Sequence, residues 1–264
     1  MYRLTPVILA SALLATSAAA VPVDLTGWTS NSYTSANWTV QNPPANDSVL
    51  QRVNGQPTVF FDPGTNAQGK QLSGEITVQT VGDDDFIGFV LGYEAGELNS
   101  ASADFILIDW KKANQTNAGS FGAAGIALSR ISGDLTNVDL YDTYWGHEAG
   151  SNADEIARGT TLGSTGWVSN QTYTFDLVFQ PTLIQVYVDS VLQLSVTSAR
   201  AGVAAFDNGA FGFYNHSQAN VLYAGITQEF LPPPPPTGVP APGAIALLGL
   251  GVAGMAGLRR RRAD

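Results

Sequence analysis

The chain contains no cysteine and only two histidines, His147 and His216, in 264 residues. No disulfide can staple the fold, so a packed core must hold it. Thiol chemistry and a zinc site of paired histidines are excluded for the same reason. Cations are scarce: 12 Lys and Arg stand against 22 Asp and Glu, a formal net charge of −10. Such a surface repels nucleic acid and anionic lipid and attracts divalent cations. Catalytic signatures are missing too. His147-Glu148 does not continue into H-E-x-x-H, and no G-x-S-x-G elbow occurs. No strand carries Glu-x-Asp-x-(x)-Glu, the pattern that would set two carboxylates across a sugar cleft. Gly249 to Gly254 satisfies G-x-G-x-x-G but lies in the chain's apolar tail and opens no βαβ unit, so it is no dinucleotide site.

What is present begins at the two ends. Arg3, the apolar stretch Val7 to Leu14, and Ala18-Ala19-Ala20 form the pattern of a secretory signal peptide over residues 1–20. Signal peptidase would cut between Ala20 and Val21. At the other end, Val239-Pro240-Ala241-Pro242 precedes an apolar run of about 18 residues, long enough to span a bilayer as a helix. Arg259, Arg260, Arg261 and Arg262 then hold that end in the cytoplasm. This order over residues 239–264 resembles the PEP-CTERM sorting signal of Gram-negative bacteria, with Ala241 where that signal has glutamate. The resemblance implies an exosortase partner and delivery to the cell surface or matrix. A plain C-terminal membrane anchor is the simpler alternative. Pro232 to Pro236 makes residues 231–238 a stiff, extended linker. Loss of both ends takes 12 basic residues to 7 and 22 acidic residues to 21, a net charge of −14.

Between the ends, residues 21–230 show short apolar or alternating runs separated by Gly, Asn, Asp, Ser and Pro. Strands are expected at Val49–Val53, Thr58–Phe61, Glu75–Thr80, Phe86–Tyr93, Asp104–Lys111 and Gly125–Ile131. Further strands are expected at Tyr173–Phe179, Leu183–Val188, Val191–Val196, Ala210–Asn215 and Val221–Thr227. Many short strands at this spacing predict one all-β sandwich or jelly roll. Alternation over Tyr173–Phe179 puts Tyr173, Phe175, Leu177 and Phe179 on one face. Asp154–Arg158 is expected to form a single helical turn.

The sharpest internal feature is Asp83-Asp84-Asp85, followed by Phe86-Ile87-Gly88-Phe89-Val90-Leu91-Gly92-Tyr93. Three consecutive carboxylates repel unless a cation or solvent screens them, and calcium takes six to eight oxygen ligands. A solvated acidic turn is the alternative. The triplet and its strand, then Asp104 to Trp110 with Lys111-Lys112, resemble the C-terminal lectin-like domain of thrombospondins. Gly125–Ser129, Tyr144-Trp145-Gly146-His147, Gly166-Trp167 with Tyr173–Leu177, Gly209–Tyr214, Ser217-Gln218 and Val221–Ile226 fit the same order. The resemblance covers roughly Val78 to Ile226. It implies a concanavalin A-like (lectin-like) jelly-roll sandwich of two antiparallel sheets, with calcium at Asp83, Asp84 and Asp85. The type 3 repeats and the cysteine of that family are absent.

Asp207-Asn208-Gly209 offers a second, weaker oxygen cluster or a plain turn. Tyr144 and Trp145 are the aromatic pair expected in a loop, where they would stack on a sugar ring; aromatics in sandwiches otherwise fill the core. The expected protein is thus exported and non-catalytic, binding a polysaccharide or surface component with calcium support. The alternatives are a polysaccharide hydrolase or lyase on the same fold, and a purely structural matrix protein.

Overall fold

The alternating and continuous apolar runs become two kinds of strand. The computed structural model describes residues 19–232, so most of the expected signal peptide, the expected linker from residue 233 onward and the whole expected sorting tail lie outside the described residues. The chain divides into a unit ending at Leu231 and a second unit, Pro232–Asp264, of which only Pro232 is described. Among the described residues no helix is long and apolar enough to cross a membrane.

In chain order the strands are β1 (Val21–Pro22), β2 (Thr29–Ser32), β3 (Trp38–Gln41), β4 (Ser48–Gln51), β5 (Thr58–Phe61) and β6 (Lys70–Val78). They continue with β7 (Phe86–Tyr93), β8 (Ala103–Lys111), β9 (Gln115–Asn117), β10 (Ser120–Gly122), β11 (Gly125–Gly133) and β12 (Ala153–Arg158). The last five are β13 (Thr172–Gln180), β14 (Leu183–Val188), β15 (Val191–Thr197), β16 (Ala210–His216) and β17 (Val221–Phe230). Among the described residues one α-helix, α1 (Leu140–Tyr144), is capped by Asp139, whose carboxylate accepts from the Tyr141 and Asp142 amides.

Every strand pairing is antiparallel. The eight-stranded sheet runs β15-β14-β13-β6-β17-β4-β3, with β1 added on β17; the seven-stranded sheet runs β12-β11-β8-β7-β16-β5-β2. The main core lies between their inner faces, where Phe175, Leu177 and Phe179 of β13 meet Phe89 of β7, Ile108 of β8 and Phe213 of β16. The expected all-β sandwich of antiparallel sheets is thus present. Val21 pairs with Gln228, so the residue after the expected cleavage site begins the sheet.

The two sheets differ outside the core. β13 alternates buried and partly open positions, as a sheet with one wet face must. β7 is buried along its whole length, because a second apolar layer covers the outer face of the seven-stranded sheet. That layer joins Val90, Phe105, Leu107 and Tyr214 to Leu135, Tyr144 and Trp145 from the segment between β11 and β12. Asp154–Arg158 corrects an expectation: it is strand β12, not a helical turn. Its pairing with Ala127 to Ile131 overrides the helix preference of Ala, Glu and Arg.

Candidate functional site

The acidic triplet enters β7 beside the end of β8, because Phe86 pairs with Lys111 in antiparallel register. Asp85 and Lys111 therefore meet at the same end of the sheet. Lys111 is fully buried, and its Nζ lies 2.8 Å from Asp85 Oδ1 and 3.7 Å from Asp84 Oδ1. The ammonium also donates to the Asp84 carbonyl at 3.1 Å and to Gln115 Oε1 at 3.0 Å. It sits 4.4 Å from the Trp145 ring and 5.0 Å from the Phe86 ring. Burial pushes the Asp85 carboxyl up to about 6, even though Lys111 pulls it back down.

The motifs that lie far apart in sequence converge here. The Trp167 indole donates to the Asp85 carbonyl at 3.0 Å, and the Asp85 amide donates to Gln218 Oε1 at 3.1 Å. Lys112 Nζ donates to the carbonyl of Asp83 at 3.2 Å and to Ser169 Oγ at 3.1 Å. Gly166 is required at its position, since a Cβ there would lie 1.8 Å from the Lys112 carbonyl oxygen.

Calcium can be tested against this geometry. The three carboxylates each offer an atom within 4.8 Å of the others, the sole such group of three among the described residues. However, Asp83 Oδ2 accepts from Asn54 Nδ2 at 2.8 Å, and Asp83 Oδ1 from the Asp84 amide at 3.2 Å. Asp85 and Asp84 face the buried Lys111 ammonium. A divalent ion shared by all three would lie a few ångströms from that ammonium and be repelled by it. By their spacing Asp83, Asp84 and Asp85 could hold a metal ion, but the Lys111 ammonium already pairs with Asp85 there.

Tyr144 and Trp145 are corrected in role. Tyr144 is fully buried and Trp145 2% exposed, inside the second apolar layer, so neither presents a face to a sugar. Beside them, His147 is sealed between Asp109, whose Oδ2 is 3.2 Å from Nε2, and Glu155, whose Oε2 is 3.8 Å from Nδ1. Burial disfavours the imidazolium, but the two carboxylates outweigh it and raise the His147 pKa to about 9. Ser129 Oγ lies 3.4 Å from His147 Nδ1, yet Ser129 is fully buried and no substrate reaches it.

Asp207 and Asn208 are exposed at the opposite end of β7. There the β5–β6 loop, the residues after Tyr93 and the approach to β16 enclose a cleft of about 440 Å³. Asn66, Glu94, Asn208, Gly64, Ala95 and Gly209 line it. Gln68 Nε2 ties its walls together by donating to the carbonyls of Phe206 at 2.6 Å and Asp207 at 3.3 Å, and the Ala67 amide donates to the Gly209 carbonyl at 2.8 Å. Seven residue steps along β7 place the cleft about 24 Å from the triplet. Sequence reasoning singled out Asp207 and Asn208 but not Asn66 or Glu94, whose loops carry no marker beyond ordinary turn residues.

An antiparallel sandwich of an eight-stranded and a seven-stranded sheet, with polar loops at its rims, defines a lectin-like domain. The solved structures agree on the fold: carbohydrate binding module CBM66 from Bacillus subtilis aligns with a TM-score of 0.50 at 13% identity, over 77% of this chain and 96% of that one. The VIP36 exoplasmic/lumenal domain, in its Ca2+/Man-bound form, aligns with a TM-score of 0.51 at 11% identity, over 80% and 85%. Residues 33–230 match the thrombospondin C-terminal region, and the chain belongs to that family. Thrombospondin-2 from Gallus gallus is 25% identical over 203 residues, which is 73% of this chain but only 16% of that relative's length.

Proposed function

We propose that the protein is an exported, non-catalytic module that binds carbohydrate at the cell surface or in an extracellular matrix. The observation that carries this reading is the rim cleft, where three loops present two amides and one carboxylate around glycine backbone. Amides that donate and accept suit sugar hydroxyls, and glycine lets a ring approach the main chain closely. Two proteins of similar fold, a carbohydrate binding module and a lumenal domain in Ca2+/Man-bound form, support the same class of ligand. Binding is favoured over hydrolysis because Glu94 is the single carboxylate in the lining, whereas glycosidases pair two across the bond they cut.

Calcium has no assigned seat in this reading, because the triplet faces Lys111. Export by signal peptidase at Ala20–Val21 and exosortase sorting at Val239, Pro240 and Pro242, before the cluster Arg259 to Arg262, rest on residue pattern alone. The membrane is then a transient partner, and nucleic acid is none. The test is a glycan array probed with the full chain, with and without calcium. Binding to at least one glycan that falls about tenfold in N66A/N208A is expected. No binding in either condition would remove the proposal.

A further inference from the structure

The rim cleft has a one-sided charge pattern. Glu94 and Asp207 are exposed at or beside it, and Asp62 lies at the base of its β5–β6 wall, where burial pushes its carboxyl up. Neither the Glu94 carboxylate nor the Asp207 carboxylate accepts a hydrogen bond from any described side chain or backbone amide. No lysine or arginine lines the cleft. The nearby guanidinium of Arg130 pairs with Asp104, with Nε 2.7 Å from Oδ1 and Nη2 2.5 Å from Oδ2, and its charge also reaches Asp207 outside the cleft. The Lys70 ammonium sits 5.4 Å from the Phe230 ring and acts on Asp62, so Asp62 adds little free charge to the cleft.

The backbone around these carboxylates is held in place. Glu97, 8% exposed, accepts from the Glu94 amide at 2.6 Å and the Asp104 amide at 3.0 Å. Asn31 Oδ1 accepts from the Gly96 amide at 2.7 Å. Gly64 has a positive φ of 75° and open space where a side chain would sit, so the cleft mouth is unobstructed there. Its volume falls in the ~300–1,000 Å³ range of small-molecule pockets. The cleft is therefore a pre-shaped, hydroxyl-compatible site whose one lining carboxylate, Glu94, has no hydrogen-bond donor or cation beside it among the described residues, on a chain whose body carries a net charge of −14. A cation brought into it gains, and an anion finds no lysine or arginine in the lining.

We infer that the glycan taken by this cleft bears free amino groups, with Glu94 as the partner of the sugar ammonium. This rests on the carbohydrate-binding reading and narrows its ligand class. Uronate- and sulfate-bearing chains are disfavoured by the Glu94 carboxylate.

The experiment is calorimetric titration of the full chain with three oligosaccharide probes of equal length. These are a β-1,4-glucosamine oligomer, its fully N-acetylated form, and an oligogalacturonate. The expected order is amino first, N-acetyl about fivefold weaker, and oligogalacturonate weakest. E94Q is expected to abolish the fivefold preference for the amino form, whatever it does to the N-acetyl affinity. E75Q, which removes an exposed carboxylate from the outer face of the eight-stranded sheet, serves as the control for general charge and is expected to change neither. Equal or tighter binding of oligogalacturonate overturns the inference and leaves the carbohydrate-binding reading standing. So does an amino preference that survives E94Q or falls equally in E75Q. Failure to bind these probes while other glycans bind on the array also overturns it. Failure of every glycan removes the reading beneath it.

Discussion

Replacing Lys111 by Met keeps most of the side chain's volume and deletes its charge. In the native protein the ammonium makes three hydrogen bonds or ion contacts within 3.1 Å, to Asp85, the Asp84 carbonyl and Gln115. It is fully buried, so no water can replace it. Removal of one partner of a buried ion pair costs about 3–5 kcal/mol, because the other charge is left unpaired. For a body of this length that corresponds to a fall in Tm of roughly 10 °C. The Asp85 carboxyl, already raised to about 6 by burial against Lys111, must rise further once the lysine is gone. Its raised folded-state pKa makes a stabilising contribution below its unfolded pKa of about 4, lost as pH rises through the folded value. K111M should therefore lose least stability in acid and most at neutral pH, and K111M/D85N should recover much of the loss at pH 7. Urea unfolding of the four proteins at pH 5 and pH 7.5 measures both the cost and the coupling. Calcium supplies an independent readout. Millimolar calcium should leave the Tm of the native chain unchanged and raise that of K111M, whose triplet has lost its internal cation. A K111M cost below about 1 kcal/mol, no recovery on adding D85N, or a calcium-dependent Tm rise in the native chain alone would refute the argument.

Two further outcomes follow from buried groups. The His147 pKa, raised to about 9 by Asp109 and Glu155 against the pull of burial, should stabilise the fold fully below about pH 6.5 and lose that contribution as pH rises through 9; H147N should flatten the loss between pH 7 and 9.5 in urea unfolding. W145A should cost about 3–5 kcal/mol by opening a cavity in the second apolar layer, seen as a lower urea midpoint rather than as a selective loss of glycan affinity.

Local pattern made most strands legible. Phe86–Tyr93, Thr58–Phe61 and Leu183–Val188 are strands with the expected bounds, because turn residues bracket them and their side chains alternate or stay apolar throughout. The thrombospondin motifs were legible for the same reason: each is a short run whose residue types repeat in order. Asp154–Arg158 was not, since its helix-favouring residues become a strand only through a distant partner in β11. Lys111 beside Trp110 looked like an ordinary strand end, and lysines are rarely buried.

The sequence by itself determined the all-β class, the inner face of β13 and the acidic surface, since each depends on residue type and spacing within a few positions. Only the tertiary structure decided that Lys111 pairs with Asp85, that Tyr144 and Trp145 are sealed inside, and that Asn66, Glu94 and Asn208 share one cleft. Those outcomes depend on which chain ends an antiparallel register brings side by side, and no local pattern encodes a contact between residues a hundred positions apart.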